Sequence, residues 1–207
     1  MRAALLLLLL AVPCSGIAQP DERVVKPEIR VGDSWTYRGT GILSPGTDEY
    51  VMRVEMSDGQ TILVVSTRKG DGKEFDATYT SSWNPTVGVS GLILKPVPEY
   101  FSFPLQFGSS RTLSFEAQRP RVTTGSIQYH VTVRIAGWEE ITVPAGKFRV
   151  VRIVGDGSFL LPEFPRPARV RTTYWYAPEV RRWVKFLLEA SNYSSGEELL
   201  EFKLNEN

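Results

Sequence analysis

The feature that most limits what this chain can fold into is alternation. From residue 31 onward, apolar and polar residues change places with a period of two, the spacing of a strand with one face buried. In SIQYHVTVRIAG, Ile127, Tyr129, Val131, Val133 and Ile135 share one face, and Gln128, His130, Thr132 and Arg134 share the other. In EYVMRVEM, Tyr50, Met52, Val54 and Met56 stand against Glu49, Arg53 and Glu55. The runs DSWTYRG, QTILVVSTRK, KFRVVRIVG, ARVRTTYWYA, RWVKFLLEASN and EELLEFKLN continue the series. Turn chemistry separates them: SPGT at 44–47, SDGQ at 57–60, KGDGK at 69–73, PAGK at 144–147, GDGS at 155–158, APEVRR at 177–182 and SSGE at 194–197. Gly supplies positive φ, Pro presets φ, and Asp or Ser bonds the local backbone. No segment carries the spacing and caps of a long amphipathic helix. The pattern predicts one all-β domain over residues 31–207. Its expected form is a single curved antiparallel sheet or open half barrel of about ten strands.

The N-terminus reads differently. In MRAALLLLLLAVPCSGIAQP, Arg2 precedes an apolar run at 3–12, then Pro13 and the small residues Ser15, Gly16 and Ala18. These are the three regions of a secretory signal, with cleavage expected after Ala18. The run is shorter than the ~20 residues that span a bilayer, and no later run supplies them. An uncleaved anchor is one alternative. A lipoprotein modified at Cys14 is another, although Pro13 stands where a small residue normally precedes such a cysteine. The favoured reading is a soluble periplasmic protein. Its only cysteine leaves with the signal, so the fold must be held by its core without a disulfide. Residues 19–30 are polar and aperiodic, and are expected to be a flexible tail.

One long segment breaks the alternation. Residues 81–110, SSWNPTVGVSGLILKPVPEYFSFPLQFGSS, are apolar and interrupted by Pro85, Pro96, Pro98 and Pro104. A loop of this length is usually functional or disordered, and its aromatic content argues against disorder. Two roles stay open for the stretch at 84–108. It plugs the sheet, or it forms a lid whose Leu92, Ile93, Leu94, Tyr100, Phe101 and Phe103 face an apolar ligand. A second aromatic cluster, Tyr174, Trp175, Tyr176 and Trp183, can line a carbohydrate or lipid site or fill the core as cross-strand pairs.

Residue chemistry excludes several functions. Lys plus Arg number 24 and Asp plus Glu 23, and loss of Arg2 leaves the two equal. That balance gives no basic excess for nucleic acid. Gly146–Lys147 matches the end of a phosphate loop. However, Ile141 stands where the first Gly should be, Phe148 where Ser or Thr should be, and a strand follows in place of a helix. With one His and no retained Cys, a multi-His or Cys-based metal site cannot be built. His130 falls on a polar strand face, and no nucleophile elbow is present. Glu139–Glu140 and Glu197–Glu198 are strand neighbours that point to opposite faces, so they read as solvated charges. No catalytic, cofactor or metal residues are assigned, and the chain is expected not to be an enzyme.

The motifs VGDSWTYR, FPLQFG, ITVPAGKFRVVRI and TYWYAPEVRRWVKF occur in this order. Together they resemble a group of uncharacterised bacterial envelope proteins that carry a secretion signal. The resemblance spans most of the chain beyond the signal. It departs at Arg111, where the group often has Trp after the mid-chain Gly. It implies an open antiparallel barrel, similar in outline to half-barrels that carry lipoproteins or lipids across the periplasm. It supplies no catalytic residues. The partner it suggests is a lipid or hydrophobic peptide on the concave face.

Overall fold

A computed structural model describes residues 23–42, 45–120, 125–191 and 193–206. Ala18 and Cys14 lie outside them. The described residues form twelve strands: β1 (Ser34–Thr40), β2 (Thr47–Ser57), β3 (Thr61–Arg68), β4 (Glu74–Thr80), β5 (Pro85–Val87), β6 (Ile93–Lys95), β7 (Ser110–Gln118), β8 (Ile127–Val143), β9 (Gly146–Leu160), β10 (Ala168–Ala177), β11 (Arg182–Ala190) and β12 (Tyr193–Lys203). A single 3-10 turn, Pro178–Val180, joins β10 to β11. Each strand pairs antiparallel with its sequence neighbour, and β12 pairs with β1 from Ser34↔Lys203 to Thr40↔Gly196. The sheet therefore closes. The expectation of an open half barrel of about ten strands is corrected to a closed up-and-down barrel of twelve. Closure satisfies the edge groups that an open sheet would leave unpaired.

β5 and β6, three residues each, lie inside the segment at 81–110, where no strand was expected. They bridge β4 to β7 through few pairs, Val87↔Ile93 among them. Strands this short, one starting at a Pro, leave no readable period.

Two turn expectations are also corrected. GDGS at 155–158 lies within β9, and SSGE at 194–197 lies within β12. Their glycines serve close approach of backbones. A Cβ on Gly157 would stand 2.1 Å from the His130 carbonyl oxygen, and one on Gly196 would stand 2.8 Å from that of Phe186. The other signals hold where they are described. In PAGK, Val143 pairs with Gly146 across a two-residue loop, and Gly146 takes φ 140°.

Alternation sorts side chains as expected on β8, where Val131, Val133 and Ile135 are buried and His130, Thr132 and Arg134 are exposed. About eight strands enclose an interior that their own side chains fill, and twelve enclose more. The extra volume is taken by large aromatics and by the irregular segment. Trp35, Tyr37 and Tyr50 point inward, and Trp83, Phe101 and Leu105 enter from 81–110. Asn84 pins that segment: its Nδ2 donates to the Phe101 carbonyl (2.7 Å), and the Phe101 N–H donates to its Oδ1 (2.8 Å).

Within the tail, the described part from residue 23 lies against the barrel. Val24 is buried, and its carbonyl accepts from the Leu105 N–H at 2.9 Å. At the same end Asp33, fully buried, accepts from the N–H groups of Arg30 and Asn205 and pairs with Arg181 at 3.3 Å.

Candidate ligand pocket

The turn from β10 into β11 sets up an unusual residue. Arg181 adopts the left-handed conformation (φ 60°) and keeps its side chain at the edge, paired with Asp33. Arg182 follows at the start of β11 and is fully buried. Its guanidinium carbon lies 3.7 Å from the Trp183 ring centre, 4.1 Å from Trp83, 5.3 Å from Tyr79 and 5.5 Å from Trp35. A cation in such a box gains about 0.5–2 kcal/mol per ring, more as water is excluded. Hydrogen bonding is poorer. Nη2 donates to the Met52 sulfur at 3.4 Å, a weak acceptor, while Nε and Nη1 have no partner among the described residues. Burial pulls the guanidinium's pKa down, but Tyr37, Tyr79 and Glu197 outweigh it and leave it above its ordinary value.

Glu197, on β12, is the second buried charge. One carboxylate oxygen accepts from the Tyr50 hydroxyl and the other from the Trp183 indole N–H. Both oxygens are thus engaged before Arg182 is reached. Burial raises the phenols of Tyr50 and Tyr174 well above 10 and that of Tyr79 above it, so they stand neutral as donors and walls.

A cavity of about 160 Å³ lies against this group. Its floor is made by buried Arg182, Glu197, Trp183, Trp83, Tyr50 and Met52. Its mouth is half-buried, between Ile42, Val89 and Phe186, with Tyr174 on the wall. The result is a blind pocket with aromatic sides and two charges at its base. Trp83 also has positive φ (64°), and its indole N–H donates to the Arg181 carbonyl at 2.7 Å. Two non-glycine residues in the left-handed region therefore meet beneath the pocket. Such strain costs about 1–3 kcal/mol per residue and gathers at ligand sites.

The aromatic cluster expected from the sequence divides. Tyr174 and Trp183 line the pocket. Tyr176 is buried against Phe101 and Phe103. Trp175 is directed away from them, with its indole N–H on Glu139 and Lys185 at 5.6 Å from its ring. Among the expected lid residues, Phe101 is buried and stacks on Trp183 at 5.8 Å, and Tyr100 is buried beside Tyr174. Leu94 and Phe103 pack against the core, while Leu92 and Ile93 are half-buried away from this pocket. The segment contributes Trp83, Pro85, Gly88 and Val89 to the lining of this pocket.

Arg182 and Glu197 are the residues that sequence reasoning missed. One was read as part of a turn, the other as half of a solvated acid pair. The reading of Glu197 is corrected: strand alternation sends Glu198 outward to Lys185 (2.6 Å) and Glu197 inward. Elsewhere the reading of solvated charge holds. Lys147 pairs with Glu140 at 2.9 Å, both well exposed. His130 is on the outer face, its Nδ1 2.9 Å from the Ser114 hydroxyl.

No family model and no curated protein matches the chain. Solved structures do. A candidate lipoprotein of Parabacteroides distasonis is 13% identical, with a TM-score of 0.54 over 88% of this chain and 100% of that one. A candidate exported protein of Bacteroides fragilis, described as having a YmcC-like fold, is 15% identical, with a TM-score of 0.55 over 87% and 99%. At such identity the likeness establishes a shared fold.

Proposed function

We propose that this protein is a non-enzymatic, exported module of the bacterial cell envelope that binds a compact apolar group inside its barrel. The observation that carries this reading is the blind pocket at Trp83, Trp183 and Tyr174, whose floor is buried and whose mouth opens past Val89. Aromatic walls with a few placed polar groups are what small-molecule sites have in common. The volume sets the size of the occupant. An engineered apolar cavity of about 150 Å³ takes benzene, so about 160 Å³ takes one ring, an apolar side chain or the end of an acyl chain. A whole lipid chain would have to run out through the mouth. The signal-like N-terminus supports export, as does a fold shared with proteins described as exported or as lipoproteins. Among the described residues, no helix is long and apolar enough to cross a membrane.

A second reading is a structural or partner-binding module with a self-filled interior. Phe101 favours it, since it already stacks on Trp183 within the barrel. One experiment decides. A fluorescent fatty acid is titrated into the protein, and energy transfer from its tryptophans is followed. Saturable transfer that is lost when the mouth is blocked by Val89→Trp supports the binding module. Absence of binding by fatty acid and by simple aromatic probes leaves the self-filled module.

A further inference from the structure

We propose that Arg182 is the ligand-recognition residue of the pocket and that the ligand it takes is a carboxylate on a compact apolar body. The inference rests on the reading of the cavity as a binding pocket. Three features point the same way. Arg182 is fully buried, its Nε and Nη1 make no well-formed hydrogen bond among the described residues, Nη2 reaches only the Met52 sulfur, and the Tyr37 and Tyr79 hydroxyls are the sole oxygen groups that approach it. Charge-assisted hydrogen bonds to a carboxylate are roughly twice as strong as neutral ones, and a guanidinium is shaped to give them. Met52 lines the same pocket, and its soft, adaptable side chain can yield Nη2 to a ligand oxygen.

The charges around the pocket define where such a group sits. Arg182 and Glu197 are the two charged residues of its lining. Glu197 has both oxygens engaged by Tyr50 and Trp183, so it does not satisfy Arg182 by contact. It also repels a carboxylate from its own side and steers the carboxylate toward the guanidinium. Left-handed Arg181 and Trp83, joined by a hydrogen bond, fix the backbone beneath Arg182. A rigid, strained platform under an under-bonded buried cation is an arrangement for recognition, because stability alone does not require it.

The test compares matched pairs on the intact protein. Dissociation constants are measured by calorimetry for benzoate against benzamide and for hexanoate against hexanamide. The carboxylates are expected to bind at least about tenfold more tightly, a difference of about 1.4 kcal/mol. Glu197→Gln removes the opposing charge and is expected to widen the preference for the carboxylates over their amides several-fold. Arg182→Met is expected to abolish the preference. Amides that bind as tightly as the acids, or a preference that survives Arg182→Met, overturn the inference while leaving the apolar pocket standing. If neither class binds, and the fatty-acid probe does not bind either, the pocket reading falls and the inference with it. Should Arg182→Met not fold, the wild-type ratio and the Glu197→Gln response still decide.

Discussion

Arg182 and Trp183 are adjacent in the chain, yet the guanidinium of the first lies against the indole of the second, 3.7 Å from its ring centre. Neighbours on a flat strand point to opposite faces. Here the left-handed Arg181 before them and a bulge at Val184 after them interrupt the pleat, and both side chains are buried. The barrel interior thus holds a charge that is solvated by rings.

That arrangement fixes an expectation for stability. The rings offset part of the several kcal/mol of desolvation that a buried ion carries. Unpartnered Nε and Nη1 add about 1–3 kcal/mol each of unmet hydrogen bonding. Replacing the guanidinium therefore relieves these costs as well as losing the ring contacts. Arg182→Met, which keeps the volume and places sulfur among aromatics, should lie within about 1.5 kcal/mol of wild type in urea unfolding. Arg182→Ala opens a void among Trp35, Trp83 and Trp183 and should lose about 3 kcal/mol or more. A Met variant that loses as much as the Ala variant would make Arg182 a structural keystone.

The Asn84–Phe101 contact holds the inserted segment in place. Asn84 is buried and meets both polar backbone groups of Phe101. Asn84→Ala leaves that N–H and that carbonyl without partners and should cost about 2–4 kcal/mol. Asn84→Asp keeps the acceptor but sets a buried carboxylate oxygen against the Phe101 carbonyl, so it should cost at least as much as the Ala variant. Hydrogen exchange at the Phe101 amide should quicken in the Ala variant before the β8–β9 hairpin responds. Uniform quickening would show that the segment is not a separate unit.

Buried phenols set the alkaline limit. Burial raises Tyr37, Tyr50, Tyr79, Tyr100, Tyr174 and Tyr176 above the ordinary value of 10, Tyr100 to about 12. The unfolded chain releases these protons first, so stability is complete below pH 10 and declines as pH rises toward the folded values. Each phenol removes about 1.4 kcal/mol per pH unit. Six together consume a typical 5–15 kcal/mol within about one to two units. Phenolate absorbance should therefore rise in one cooperative step between about pH 11 and 12, coincident with loss of circular dichroism. Gradual ionisation of most of the eight tyrosines in a still-folded protein would contradict the burial of these six rings.

How far the chain could be read before its structure was known depended on where its physics is local. The two faces of β8 follow from alternation alone, and so does the PAGK loop. Closure does not, since the pairing of Ser34 with Lys203 joins opposite ends of the sequence. β5 and β6 were invisible because three residues carry no period. Arg182 and Glu197 were hidden by their neighbours: Arg181–Arg182 sits beside a turn, and Glu197–Glu198 resembles a solvated pair. The signal was present, since alternation must turn one of two adjacent acids inward. Trp83 had no such signal, because its place depends on Asn84 folding back onto Phe101.

The misread glycines give the sharpest mutational contrast. GDGS resembles a turn in composition, yet Gly157 is paired with Val131 on β8 and Val170 on β10. A Cβ there would stand 2.1 Å from the His130 carbonyl oxygen and 2.7 Å from the Val131 Cα, both backbone atoms that cannot move without unpairing β8 from β9. Gly157→Ala should therefore lose more than about 3 kcal/mol, at the severe end for a single methyl group. Gly70 is the control. It lies in the β3–β4 turn, where an added methyl would meet nothing within 4 Å, and Gly70→Ala should stay within about 0.5 kcal/mol of wild type. Urea unfolding of the pair separates a turn glycine from a packing glycine. Equal, small effects at both positions would return GDGS to the role of a turn and would break the continuous β9 on which the barrel depends.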